Sequence, residues 1–237
     1  MTGVVRKRPL LVAETFGPTL QGEGPSCGRQ ALFVRLSRCN LSCPTCDTPY
    51  TWDWQRFDVG TETHRLTAAD ILDWALGYST ELLVVTGGEP LLQQDLLVQL
   101  VTALAAAGRR VEVETNGTVV PAAALVDAVA GFNVSPKLAG FAAPGDTRRR
   151  INPEALWALM ATGRAVFKFV ASSVADLDEI ADLQRQFDLQ PVWVMPEGTS
   201  TERLLEVMRA LADEVVGRGW HLSTRLHVML WGDARGR

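Results

Sequence analysis

Strand-like and helix-like patterns alternate along this chain from about residue 31 onward, and that alternation limits its fold more than any other feature. β-Branched and apolar runs at about 31–37, 82–86, 110–114, 131–135, 165–171, 191–195 and 224–229 read as strands. Helical periodicity occupies about 67–78, 91–107, 121–130, 153–162, 174–187 and 200–216. Thr67 with Asp70 three residues on has the form of a capping box, and Gly108 stops the Ala-rich helix. Strand then helix, repeated about six times, implies parallel strands with right-handed crossovers. A closed barrel of eight units needs about 250 residues. This chain has 237, and its first sixty read largely as loop. The expectation is one α/β domain over 1–237, either an incomplete barrel or an open doubly wound sheet.

Composition narrows the function classes. A chain 47% hydrophobic and 21% charged is too apolar to stay disordered. With 23 Lys and Arg against 27 Asp and Glu, the net charge of −4 argues against nucleic acid held by bulk electrostatics. No run approaches the roughly 18 to 20 apolar residues of a membrane helix. The basic start, Met1 to Arg8, is followed only by Pro9 to Ala13 as an apolar run, too short for a secretory signal. A cytoplasmic protein is expected, and there closely spaced thiols are more often metal ligands than disulfides.

The polar signatures fall at strand ends. Arg35 to Cys46 follows the first strand, Thr86-Gly87-Gly88-Glu89-Pro90 the second and Glu114-Thr115-Asn116-Gly117 the third. Ser135-Pro136-Lys137 follows the fourth, Lys168 lies in the fifth, and Met195-Pro196-Glu197-Gly198 closes the sixth. Parallel α/β folds build their sites at the carboxyl ends of strands, so this is the layout of an enzyme.

Cys39, Cys43 and Cys46 have C-x3-C-x2-C spacing on a loop, with Cys27 outside it as a structural thiol. Three thiolates can hold three irons of a four-iron, four-sulfur cluster and leave the fourth open. An open iron can chelate the amine and carboxylate of S-adenosylmethionine, whose reductive cleavage yields a deoxyadenosyl radical. The alternative from spacing alone is a zinc site completed by His64 or His227, in a binding module without catalysis. Gly87 and Gly88 remove two Cβ atoms where a backbone must approach a ligand closely. Beside them, Glu89 is a candidate acceptor for the cofactor's ammonium group.

The cysteine loop together with Gly87-Gly88-Glu89-Pro90 resembles the radical S-adenosylmethionine superfamily. Glu14 to Gly24, Phe33-Val34-Arg35-Leu36, Asp47-Thr48, Glu114 to Thr118, Ser135-Pro136-Lys137 and Thr224 to Val228 narrow the likeness. Together they resemble the 7-carboxy-7-deazaguanine synthase family, from the pathway to queuosine and other deazapurines. The likeness spans about residues 10–232, and it departs at Thr45, where the superfamily usually has an aromatic residue. A glycyl-radical activating enzyme shares the cysteine spacing and the Gly-Gly-Glu-Pro run, but not the Gln21-Gly22-Glu23-Gly24 or Arg225-Leu226-His227 signatures.

The resemblance implies an incomplete (β/α)6 barrel of parallel strands and a homodimeric lyase. Its cofactors would be a four-iron cluster, S-adenosylmethionine and Mg2+. Its reaction would convert 6-carboxy-5,6,7,8-tetrahydropterin to 7-carboxy-7-deazaguanine with loss of ammonia. The electron would come from a flavodoxin- or ferredoxin-like partner. Carried onto this chain, the family pattern gives the cluster to Cys39, Cys43 and Cys46, and Mg2+ to the Thr48 hydroxyl, with Asp47 as an orienter. It gives the cofactor to Gly87, Gly88, Glu89, Glu114, Ser135 and Lys137. The substrate falls to Leu20, Gln21, Gly22, Glu23, Arg35, Thr86, Gln190 and His227. Arg35 offers a planar fork suited to a carboxylate; a strand-end ion pair is its plainer alternative.

Overall fold

The computed structural model describes residues 8–237, so most of the basic start weighed against a secretory signal lies outside the described residues. Strand β1 (Leu10–Leu20) comes first, then β2 (Gln30–Leu36), the one-turn helix α1 (Val59–Glu62), β3 (His64–Leu66) and α2 (Ala68–Leu76). Regular alternation follows: β4 (Leu82–Gly87), α3 (Gln94–Ala106), β5 (Arg110–Thr115), α4 (Ala123–Ala128), β6 (Gly131–Val134) and α5 (Pro153–Ala161). It continues through β7 (Ala165–Ala171), α6 (Val174–Phe187), β8 (Val192–Pro196), α7 (Thr201–Gly217), β9 (His221–Leu222) and α8 (Leu226–Trp231).

All strands join one sheet in the order β3-β1-β2-β4-β5-β6-β7-β8-β9. From β2 to β9 every neighbouring pair is parallel, and β3 and β9 remain as free edges. This is the incomplete barrel, opened where a closed one would pair its ends. The doubly wound alternative fails because the order of the parallel strands, β2 to β9, never reverses.

Two expectations change. The first sixty residues are not largely loop: β1 runs antiparallel to both β2 and β3. Gly17 and Pro18 interrupt its alternation, and its register with β2 shifts between Phe16 and Thr19. Proline and glycine sit tolerably at such an irregularity, which is why the strand is hard to read. The segment 224–229 is not a strand either. Pairing ends at Leu222, and α8 carries Leu226 to Trp231. A short apolar run does not distinguish strand from helix by periodicity. Here the tertiary bond from the Leu226 amide to the Gly22 carbonyl (2.9 Å) holds the chain out of the sheet.

The sheet's two faces differ in chemistry, and alternation along each strand divides them. On the outer face Phe167 and Phe169 of β7 are fully buried in one cluster with Leu156, Leu159, Leu177 and Ile180 of α5 and α6. Burying such side chains contributes about 1.5–3 kcal/mol each relative to exposure. Helices α2 and α3 cover the other half with Ile71, Ala75, Leu97 and Leu104, and α2 starts with the expected Thr67–Asp70 capping box. The inner face carries Arg35, Thr86, Glu114 and Lys168, and its lower end is closed by Ser26, whose hydroxyl donates to Glu112 (2.8 Å). Apolar packing outside thus leaves these polar groups on the inner face, beside a smaller apolar cluster of Ala31, Phe33, Leu82 and Val84 with Phe16.

Candidate active site

A cavity of about 660 Å³ opens at the carboxyl ends of the parallel strands. Every predicted site residue lines it except Glu89 and Gln190. Cys39, Cys43 and Cys46 are free and half-buried on the loop after β2. That loop is braced from both sides. The Ser42 amide and hydroxyl donate to the Asp146 carboxylate (2.6 and 2.8 Å), whereas Asn40 bonds Thr118 and Asn116 (2.7 and 2.9 Å).

The sulfurs face N–H donors. The Leu41 amide points at the Cys39 sulfur (3.4 Å) and the Trp52 indole N–H at the Cys46 sulfur (3.4 Å). Donors of this kind suit thiolates, which is the form that ligates iron. Without such a ligand Cys39 and Cys43 hold their protons: burial pushes Cys39 up to about 12 and raises Cys43 as well. A single zinc ion fits less well. His64 lies on the edge strand β3 and does not line the cavity; His227 lines it, but against Gly22 and Glu23.

Gly87 and Gly88 bring β4 against the cysteine loop. A Cβ on Gly87 would lie 2.1 Å from the Leu36 carbonyl oxygen, and one on Gly88 2.0 Å from that of Arg38. Gly87 also has φ +136°, a region that favours glycine. Glu89 departs from its expected role. Its carboxylate is fully buried and accepts from the Leu91 amide (2.9 Å), the Thr115 hydroxyl (2.8 Å) and the Asn116 amide (2.7 Å). It is turned from the cavity and ties the β4 loop to the β5 loop; burial raises its pKa. Gln190 is misplaced altogether. It precedes β8, so it sits at the amino-terminal rim, exposed, with its amide on the Met160 sulfur (3.5 Å). Cys27 donates to the Gly22 carbonyl (3.3 Å) outside the cavity, as a structural thiol would.

The inner wall is a connected set of charges. Lys168 forms an ion pair with Glu23 and lies 3.9 Å from Glu114; Arg225 reaches Glu23 (3.2 Å) and also pairs with Asp47. Burial alone would raise the Glu23 carboxyl, but Lys168 and then Arg225 overcome it and hold Glu23 well below the ordinary carboxylate range. Glu114 accepts from Gln21 (3.2 Å) and from the Thr86 hydroxyl (2.7 Å). Ser135 accepts from Lys137 (3.1 Å). Arg35 bonds Glu14 through Nε (2.8 Å), and no other protein acceptor meets its guanidinium among the described residues. The ion-pair reading of Arg35 is thus observed, and it fixes one edge of the fork while the other meets no protein acceptor among the described residues.

Thr48 begins a short turn without capping it through its side chain, so its hydroxyl keeps only a long contact to the Cys46 sulfur (3.7 Å). Gly22 packs on His227, where a Cβ would lie 2.0 Å from the imidazole Nδ1. Burial lowers the pKa of His227. Sequence reasoning places Arg225 only within the Arg225-Leu226-His227 signature, leaves the tail with Arg235 and Arg237 either closed over the substrate or loose, and does not single out Tyr50. Tyr50 donates to Glu14 (2.8 Å), and Arg235 of the C-terminal segment spans Glu14 (2.9 Å) and Glu62 (2.8 Å) across the cavity mouth. Lys168 was the most visible of the unassigned groups, since a lysine amid Ala165 to Ala171 is a charge in a buried strand.

The radical SAM superfamily model matches residues 34–162. The chain is similar to the 7-carboxy-7-deazaguanine synthase of Pyrobaculum aerophilum, 40% identical over 95% of this chain and 96% of that protein. The one from Hyperthermus butylicus is 36% identical over 93% and 92%. The crystal structure of QueE from Escherichia coli superposes with a TM-score of 0.71 at 25% identity, covering 92% of this chain and 95% of that one.

Proposed function

The chain belongs to the 7-carboxy-7-deazaguanine synthase family of the radical SAM superfamily, and on that premise we propose how its cavity divides the work. The observation that carries the reading is one cavity shared by the cysteine loop and the Glu23–Lys168–Arg225 charge set. Cys39, Cys43 and Cys46 hold a four-iron cluster, and the open β4 backbone at Gly87 and Gly88 receives the methionyl end of S-adenosylmethionine. Glu114, Ser135 and Lys137 meet the rest of that cofactor. When bound, the two together supply a deoxyadenosyl radical that starts the ring contraction of 6-carboxy-5,6,7,8-tetrahydropterin to 7-carboxy-7-deazaguanine, a carbon–nitrogen lyase reaction that releases ammonia.

The chain's own groups bind and orient. Glu23, held ionised by Lys168 and Arg225, accepts hydrogen bonds from the N–H edge of the pterin; an ionised acceptor is worth roughly twice a neutral one. Gln21 and Thr86 extend this edge through Glu114, and Leu20 and Gly22 shape it against His227. The free edge of Arg35 takes the substrate carboxylate. Thr48 would offer Mg2+ one hydroxyl oxygen beside the substrate carboxylate; Mg2+ keeps several waters and needs few protein ligands. Arg235 and the segment from Asp233 to Arg237 close the mouth and exclude water from a reactive intermediate. Glu89 and Gln190 take no direct part.

The protein acts as a homodimer with a one-electron carrier of the flavodoxin or ferredoxin kind. Among the described residues no helix is long and apolar enough to cross a membrane. The test is anaerobic turnover with reconstituted protein, reductant, S-adenosylmethionine, Mg2+ and the carboxy-tetrahydropterin. Formation of 7-carboxy-7-deazaguanine is expected, and none with Cys43→Ala. Release of deoxyadenosine without that product would overturn the substrate assignment.

A further inference from the structure

Beneath the charged wall of the cavity, Asn133 of β6 makes one side-chain hydrogen bond where its carboxamide could make more. It lines the cavity, is only 5% exposed, and pairs with Glu114 in the β5–β6 register. Its side-chain nitrogen donates to Glu112 Oε2 (3.3 Å). The other oxygen of Glu112 accepts from the Ser26 hydroxyl (2.8 Å) and from Arg110 through Nε (3.1 Å) and Nη2 (3.0 Å). A carboxylate only accepts, so this network fixes which end of the Asn133 carboxamide faces it. Oδ1 is left turned from Glu112, and no protein donor meets it among the described residues. The oxygen is not sealed in the core, so it opens onto the cavity. The loop that carries Gln21 and Glu23 passes beside it: a Cβ on Gly24 would lie 3.6 Å from Oδ1.

Closing the base of the barrel does not need this pair. The neighbouring floor is closed by Ala31, Phe33, Leu82 and Val84, whose side chains carry no polar atom. Glu112 already has Arg110 as its cation and Ser26 as a second donor, so Asn133 adds little to its neutralisation. Polar groups at such depth cost free energy unless each is hydrogen-bonded. A carboxamide oxygen held there without a donor, and open only to a ligand cavity, is completed by an N–H of the ligand. The exocyclic amino group of a pterin has two such hydrogens. Glu23 takes the edge formed by one of them and the adjacent ring N–H, which leaves the second for a neutral acceptor beside it.

We propose that Asn133 Oδ1 accepts a hydrogen bond from the exocyclic amino group of the pterin, and that Glu112 sets this specificity by holding the carboxamide in one orientation. The assignment rests on the proposed function, which supplies the pterin. Asn133 is a substrate-specificity residue and Glu112 a positioning residue; no bond is made or broken at either. The pair selects a 2-amino over a 2-oxo heterocycle, because a ring oxygen in that place would set acceptor against acceptor.

The test measures anaerobic binding to reconstituted holoenzyme with S-adenosylmethionine and Mg2+ but no reductant, so that nothing turns over. The probes are the carboxy-tetrahydropterin and its 2-oxo analogue, the corresponding lumazine. Wild type should prefer the pterin by about tenfold or more. Glu112→Gln keeps an oxygen for Ser26 and Arg110 but puts a donor opposite Asn133, whose carboxamide then reverses and offers Nδ2 to the cavity. The preference should fall by about tenfold, through weaker pterin binding and tighter analogue binding. Asn133→Ala should weaken the pterin by about tenfold without weakening the analogue. A merely structural Glu112 would weaken both ligands alike, so an equal loss for both overturns the proposal. Equal affinity of the wild type for the two probes overturns it without any variant. Failure of the wild type to bind the pterin at all would overturn the proposed function and this assignment with it, whereas an unchanged preference in Glu112→Gln overturns this assignment alone.

Discussion

Lys168 of β7 and Glu23 of the loop after β1 form an ion pair at the inner wall of the cavity, their side chains only 6% and 15% exposed. Removing one partner of a buried pair leaves an uncompensated charge, which costs about 3–5 kcal/mol. Arg225 stays 3.2 Å from Glu23, so Lys168→Met should fall near the low end, about 3 kcal/mol, in urea unfolding of the anaerobic protein. The same variant should raise KM for the pterin more than it lowers kcat, because Glu23 loses its fixed direction. A loss under 1 kcal/mol with unchanged KM would contradict the role of Lys168 as the positioning cation.

Gly88→Ala tests how closely the β4 loop meets the cysteine loop. The new Cβ would lie 2.0 Å from the Arg38 carbonyl oxygen and 3.0 Å from the Cys39 Cβ. Backbone must move, and the first cysteine moves with it. Iron per chain should fall after reconstitution, and turnover should fall by about 100-fold, the scale of a 1 Å misplacement at a reacting centre. Full iron content and wild-type turnover would show that the two loops adjust independently.

Much of this arrangement is legible in the sequence, and the failures have physical causes. The parallel order and the carboxyl-end rim follow from the alternation, because each parallel strand must start and end on the same sides. That same polarity rules out Gln190, which precedes its strand and belongs to the far rim. Strand β1 is masked by Gly17-Pro18, and α8 by an apolar run that fits two periodicities. Glu89 is a different case. Its residue type and its neighbours read as a ligand, yet its partners are amides and a hydroxyl brought by Leu91, Thr115 and Asn116, two of them from another strand's end. Only the folded chain shows that its oxygens are already used. The Arg225–Asp47 pair joins residues 178 apart, which no local pattern announces.

Glu89→Ala separates a brace from a ligand. It leaves three buried donors without an acceptor, each costing about 1–3 kcal/mol, so a destabilisation of about 3 kcal/mol or more is expected by urea unfolding. Glu89→Gln should recover only part of this, since its amide nitrogen faces a donor. If Glu89→Ala were as stable as wild type but failed to cleave S-adenosylmethionine, the carboxylate would have to meet the cofactor directly after all.

His227 supplies a stability effect with a defined pH direction. Burial holds the imidazole below its ordinary value of 6.5; Glu23 and, more weakly, Asp47 and Glu114 favour its charged form, and Arg225 opposes it. The unfolded chain takes up this proton near pH 6.5, whereas the folded chain takes it up only at lower pH. Between those values the unfolded state holds more protons, so stability rises with pH there and is lost as pH falls. Most carboxylates titrate below about pH 5, but the buried Glu89 is raised and acts in the opposite direction, so His227 is read from the difference between wild type and His227→Gln between there and 6.5. Urea midpoints of His227→Gln should lose less, or gain more, on acidification across that window than those of the wild type. Parallel pH profiles for the two proteins would contradict an imidazole held uncharged by burial.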